Sequence, residues 1–272
     1  MPDLKNKFTR LADLPSMPVL LTEALQQIDG KQGLTVLVDK ISQDPFMTIR
    51  ILRIVNSSFY GMSREIGSLR EAIVLLGFNR IRDMLISICF SKILPARHKD
   101  FNYHQLWHHS VAVAECSRQF AGLSGISPDI AFTAGLLHDI GRLAIVALFP
   151  DEFSQLINEP DPSLMETERR LLGFDNVEMG GKAAQYWNLP VAIQEAIEQH
   201  ETPPEPGAAK SLGLLVYTAN RLILNAEQSD QSALEDHESL CGALTILNVS
   251  SKQAAQCTDS GRQFADQLVI LD

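Results

Sequence analysis

His138 and Asp139 stand side by side within Ile130–Phe149, the longest apolar region of the chain. An imidazole beside a carboxylate is a donor pair that suits a transition metal such as Zn, Fe, Ni or Mn. The carboxylate is surrounded in sequence by Ile130, Phe132, Leu136, Leu137, Ile140, Leu143, Ile145 and Val146. There it must be neutralised, hydrogen-bonded or metal-bound, because an unpaired buried charge costs several kcal/mol or more. Helical spacing identifies further inward-facing imidazoles. His109 shares a face with Val113, Cys116 and Phe120, and His200 shares one with Ile193, Ala196 and Ile197. His108 falls on the face of Ala112, Glu115 and Gln119, which predicts a solvated side chain and removes it from the set. Three core-facing histidines and a core aspartate, drawn from three helices, form a candidate metal-ligand set. A simpler arrangement stays open beside it: Asp139 pairs with Arg142 at i+3, while His109 and His200 donate to backbone carbonyls. His98, His104 and His237 lie in polar surroundings and carry no signal.

The elements that must position these groups are helices. Strict apolar/polar alternation is absent, and helix start signals recur: Ser127-Pro128 and Asp44-Pro45 place a capping side chain before proline, and Ser68-x-x-Glu71 and Asp175-x-x-Glu178 have the form of capping boxes. The pattern predicts an all-α protein with helices near 16–28, 34–42, 45–56, 69–76, 78–93, 102–123, 128–148, 164–172, 176–187, 190–200, 208–226, 232–247 and 251–270. The 128–148 segment, apolar nearly all round, is predicted to be one helix buried at the centre. A soft division is expected near 94–101, where Pro95 and a polar run interrupt the pattern.

With 272 residues, 45% hydrophobic and 21% charged, the chain is long and apolar enough for a sizeable core, and disorder is excluded as its main state. The net charge of −10 argues against nucleic acid as a partner, since it repels a phosphate backbone. Residues 226–272 carry eight acids against two bases, so the acidity is greatest at that end. The four cysteines form no C-x-x-C pair and fit a reducing compartment. No secretory signal is visible in Met1–Arg10, and His138, Asp139 and Arg142 would be costly in lipid. A cytoplasmic location with no membrane partner is the expectation.

Ala134-Gly135-Leu136-Leu137-His138-Asp139-Ile140-Gly141-Arg142-Leu143 resembles the central motif of the HD superfamily, whose metal-dependent phosphohydrolases use a His, a His-Asp doublet and a later Asp as ligands. Leu14-Pro15-Ser16-Met17-Pro18, Asp44-Pro45, Arg53–Gly61, Glu71–Gly77, Trp187-Asn188-Leu189-Pro190 and the segment ending in His200 resemble the HDOD domain, an all-helical relative found in bacterial signalling proteins, often without demonstrable activity. The resemblance implies a multi-helical HD-like bundle with an N-terminal helical subdomain. Its expected parts are an extension over 1–13, the HDOD domain over 14–222 (subdomain about 14–95, bundle about 101–222) and a helical extension over 223–272 packed on the same body.

The resemblance also implies a weak or vestigial metal site of His109, His138, Asp139 and His200, with degenerate ligand positions at Asn176, Gln199 and Asn220 and a phosphate contact at Arg142. Loss of the closing Asp at 220 is expected to leave Asp139 as the one anionic ligand, holding a divalent metal weakly. The expected function is a non-catalytic signalling module that binds a partner protein or a small regulatory ligand. The alternative is a metal-dependent phosphohydrolase acting on a nucleotide or cyclic dinucleotide.

Overall fold

The computed structural model describes residues 4–14, 41, 45–90, 98–159, 164–205, 207–227 and 237–269. The helices expected over 16–28 and over 34–42 apart from Ile41, the Asp44 cap, the Pro15–Pro18 part of the first motif, Pro95 and residues 232–236 lie outside that set.

Among the described residues the chain is helical throughout, with no strand. The helices are α1 (Leu4–Thr9), α2 (Pro45–Val55), α3 (Leu69–Leu76), α4 (Phe78–Phe90), α5 (Tyr103–Ser124), α6 (Pro128–Leu137), α7 (Ile140–Leu148), α8 (Pro150–Leu156), α9 (Leu164–Leu172), α10 (Asn176–Tyr186), α11 (Val191–Gln199), α12 (Leu212–Glu227), α13 (His237–Leu247) and α14 (Ser251–Val269). Capping chemistry explains many of the boundaries. Ser68 Oγ accepts from the Glu71 amide, while the Glu71 carboxylate reaches back to the Gly67 amide. Asp175 accepts from the Glu178 amide at 2.8 Å. Asn102 starts α5 by accepting from the Gln105 amide at 3.0 Å.

Three expectations are corrected. Residues 128–148 are not one helix: α6 ends at Leu137, α7 begins at Ile140, and Asp139 has left the helical region at φ −99°, ψ 18°. The cause is the His138 ring. Its Nδ1–H donates at 2.7 Å to the Gly135 carbonyl, the group a continuing helix would offer to the Asp139 amide. The stretch left between the helices predicted over 128–148 and 164–172 holds the short helix α8, which Pro150 opens as its first residue, where a missing amide costs nothing. Ser127 precedes α6 without a side-chain cap bond, leaving Pro128 as the start signal.

α5 is the axis of the body. α6 packs along it on one side, α12 on another and α14 on a third. The α5–α14 approach is close enough that a Cβ on Gly261 would lie 2.6 Å from the Ala112 carbonyl oxygen, so only glycine fits. α14 thereby covers the α5 face expected to be solvated. His108 is half-buried and bonds Asp266 at 2.8 Å, and Glu115 is fully buried. Glu115 is tolerated because Arg80, Arg118 and Gln119 all donate to its carboxylate. Burial pushes its pKa up, but Arg118 and Arg80 outweigh that and hold it below the ordinary value. The Arg80 guanidinium also lies 4.9 Å from the Phe264 ring and 5.6 Å from the Tyr60 ring, tying α4 to α14 and to the loop after α2.

Candidate functional site

The break between α6 and α7 presents His138 and Asp139 together at the heart of the body. α11 ends by the same device as α6: His200 Nδ1–H donates at 2.7 Å to the Ile197 carbonyl. Both rings are fully buried, 5.0 Å apart between centroids. With Nδ1 spent on a carbonyl, Nε2 becomes the working atom of each ring, and neither Nε2 has a hydrogen-bond partner. His138 Nε2 lies 3.7 Å from Asp139 Oδ2, and His200 Nε2 lies 3.6 Å from Asp139 Oδ1.

The electrostatics follow from burial and from Asp139. Burial lowers the His138 pKa to about 3, keeping the ring neutral. Burial opposes charge on Asp139, but Arg142, then His138 and His200, hold its pKa well below the ordinary value. Arg142 Nε stands 3.1 Å from Asp139 Oδ1. For His200, burial lowers the pKa, and the Asp139 and Glu201 carboxylates together outweigh it and raise it. Gly141 allows α7 to lie against α10 at this point: a Cβ there would fall 1.8 Å from the Asn176 carbonyl oxygen.

His109 faces the same cluster from α5, its ring 5.4 Å from that of His138. Each of His109, His138 and Asp139 offers one ligand atom, and these lie within 4.8 Å of one another. The His109 nitrogens are both engaged, Nδ1 with Glu227 Oε2 and Nε2 with Asn220 Oδ1, each at 3.0 Å. Of the remaining predicted positions, Arg142 and Asn220 join the cluster. Asn176 is buried and bonded instead to Glu168, through its amide at 2.7 Å and its Nδ2 at 2.9 Å. Gln199 is exposed, its carboxamide beside Gly213, where an added Cβ would meet Gln199 Oε1 at 2.1 Å.

Two carboxylates in the neighbourhood were missed from the sequence. Glu201 Oε1 lies 3.6 Å from His200 Nε2 and 3.4 Å from Asn220 Nδ2, with Arg221 3.0 Å from its other oxygen. Glu227 meets His109. Asp139 is thus not the only carboxylate beside these imidazoles. A signal for Glu227 was present: Asn220, Leu224 and Glu227 recur at i, i+4 and i+7, one face of α12. The donor chemistry of the cluster, two unpartnered imidazole nitrogens around a carboxylate, fits a divalent transition metal.

A cavity of about 270 Å³ opens onto the cluster. Phe101, Leu106, Phe153 and Leu224 supply apolar wall, and His109, Asp139, Arg142 and Asn220 supply polar lining. The apolar stretch Pro128–Leu148, long enough by composition to cross a membrane, is mostly buried inside this body.

A helical bundle with a buried His-Asp doublet at a helix break and further imidazoles converging on it defines an HD-type fold. The HDOD domain model matches residues 14–203, and the chain belongs to the HDOD domain family. A similar fold is seen in an HDOD domain protein of unknown function from Geobacter sulfurreducens, 24% identical with a TM-score of 0.78, covering 99% of both chains. A protein provisionally named a phosphohydrolase, from Shewanella amazonensis, is 24% identical with a TM-score of 0.74 over 96% of this chain and 97% of that one. An uncharacterised Treponema pallidum protein is 28% identical over 224 residues, which is 79% of this chain and 43% of that longer protein.

Proposed function

We propose that this chain is a non-catalytic bacterial signalling module, cytoplasmic, which binds a partner protein or a small regulatory ligand on an HD-type scaffold. The observation that carries this reading is the state of His109, with Glu227 on one nitrogen and Asn220 on the other. Each ring nitrogen stands at hydrogen-bond distance from one of these side-chain oxygens, so a catalytic cation at His109 would have to displace one of these contacts. Asp139, for its part, is already charge-matched by Arg142. The half-apolar cavity over this cluster supports a binding role, since such cavities hold small molecules through apolar walls and a few polar contacts.

A phosphohydrolase remains the second reading, favoured by the unpartnered Nε2 atoms of His138 and His200. If a metal were held there, it would polarise a phosphoryl oxygen or activate water, with Arg142 at the cavity available for phosphate. The deciding experiment is hydrolysis of bis(p-nitrophenyl) phosphate and of a cyclic dinucleotide by the full chain with added Mn²⁺, Fe²⁺ or Ni²⁺. No turnover above that of His138→Ala is expected. Metal-dependent turnover that His138→Ala abolishes would overturn the proposal.

A further inference from the structure

We infer that the cavity above the His-Asp cluster selects an organic cation, a protonated amine carried on a small aromatic or branched apolar body, in preference to a phosphorylated ligand. The inference rests on the small-ligand form of the proposed function and names the chemical class of that ligand. Charge, hydrogen bonding and wall chemistry point the same way.

Among the described lining residues, the carboxylates of Asp100, Asp139 and Glu227 stand against a single guanidinium, that of Arg142. A cleft lined mainly by one sign of charge concentrates that field and draws in the opposite ion. Arg142 has little left for an anion. Its Nε stands 3.1 Å from Asp139 Oδ1, and Asp139 raises its pKa against the effect of burial, with Glu201 and Glu168 adding to the rise. Asp100 is exposed and forms no ion pair among the described residues. Glu227 gives Oε2 to His109, and its Oε1 has no partner among those residues. Helix dipoles do not reverse this balance. α5 brings its first turn to the cavity at Gln105 and α12 its last at Leu224 and Glu227, so the two ends oppose each other.

The hydrogen bonding also asks for a donor. Asp139 is only 4% exposed, and its Oδ1 lacks a hydrogen-bond partner because Arg142 Nε, though close, is out of line with it. Buried acceptors are normally satisfied, and an ammonium group carries three donors. The walls suit the body of such a ligand. Phe101 and Phe153 meet edge to face with ring centroids 5.4 Å apart, and Ile157 adds aliphatic surface. Aromatic rings bury an apolar group and attract a cation, and a phosphate gains from neither effect.

The test is calorimetric titration of the full chain with three probes that share a phenyl ring: phenethylamine, 2-phenylethanol and phenyl phosphate. EDTA is present, so that only the charges of the chain are read. Phenethylamine is expected to bind at least about tenfold more tightly than the alcohol, and phenyl phosphate more weakly than either. Glu227→Gln should weaken amine binding about tenfold and Asp100→Asn, at an exposed position, about twofold to fivefold, while neither weakens phenyl phosphate. Circular dichroism verifies folding, and the exposed Asp100→Asn keeps the argument testable if Glu227→Gln does not fold. Amine binding no tighter than that of the alcohol, phosphate binding as tight as that of the amine, or parent-like amine binding by both variants would each overturn the inference. Turnover in the hydrolysis assay would instead overturn the binding-module reading, so the two failures are told apart.

Discussion

His138 and His200 end their helices in the same way, each ring donating Nδ1–H at 2.7 Å to the carbonyl three residues back, and each thereby directs Nε2 at the same carboxylate, Asp139. One hydrogen bond does two jobs in each case. It removes the carbonyl that would have continued the helix, and it fixes which nitrogen faces the cluster. The aim of the imidazoles and the local chain geometry are therefore inseparable here: a residue that cannot bond its own backbone at position 138 would also alter the α6–α7 break.

Arg142 is the internal counter-charge of Asp139, and its side chain is one-third exposed while Asp139 is buried. Arg142→Gln is expected to lose about 1–3 kcal/mol of stability, the lower end reflecting the exposed guanidinium. Thermal melts with and without Mn²⁺ check this, and the variant should gain more from the ion than the parent does. An equal gain in both would mean that guanidinium and cation do not compete for Asp139.

Glu115 holds α4, α5 and α14 together from a site with no solvent contact. Glu115→Gln leaves Arg80 and Arg118 without their shared anion and should cost about 3–5 kcal/mol. In urea the unfolding midpoint should fall with an unchanged slope. A loss below about 1 kcal/mol would mean that the network contributes little.

Stability should fall as pH rises from about 4 to about 7 through Asp83. Burial pushes its pKa up from 3.8 to about 7, against the opposing effect of Arg82. Between those values the folded protein holds a proton that the unfolded chain has released, so the contribution is complete below the unfolded pKa and disappears as pH passes the folded one. Denaturant titrations of the parent and of Asp83→Asn across this range provide the measurement. The variant should lack this component of the pH dependence, and parallel curves would refute the assignment.

Two glycine-to-alanine changes should have opposite signs. Gly141→Ala would place a Cβ 1.8 Å from the Asn176 carbonyl oxygen, forcing α7 from α10 and lowering the melting temperature severely. At Gly122, inside α5, a Cβ meets nothing within 4 Å, and alanine should stabilise by about 0.5–1 kcal/mol. Paired thermal melts decide both.

Periodicity assigned His109 and His200 to the interior, because a helix reports its buried face through apolar neighbours three, four and seven residues away, and a run apolar nearly all round did the same for His138. The sequence also determined most helix starts, since a cap such as Asp175 acts within three residues. The same reasoning placed His108 and Glu115 in solvent. Their face carries polar residues, and nothing local reveals that α14, more than a hundred residues later, lies over it, or that Arg80 of α4 reaches Glu115. Glu201 escaped notice for the same reason: it adjoins His200 but owes its aim to Asn220 and Arg221 on α12. Gln199 matched a ligand position by sequence order, yet its carboxamide lies against Gly213. Local sequence determines which backbone groups and faces need partners; the tertiary structure decided which side chains supply them, because buried charge is stabilised by groups close in space at any separation along the chain.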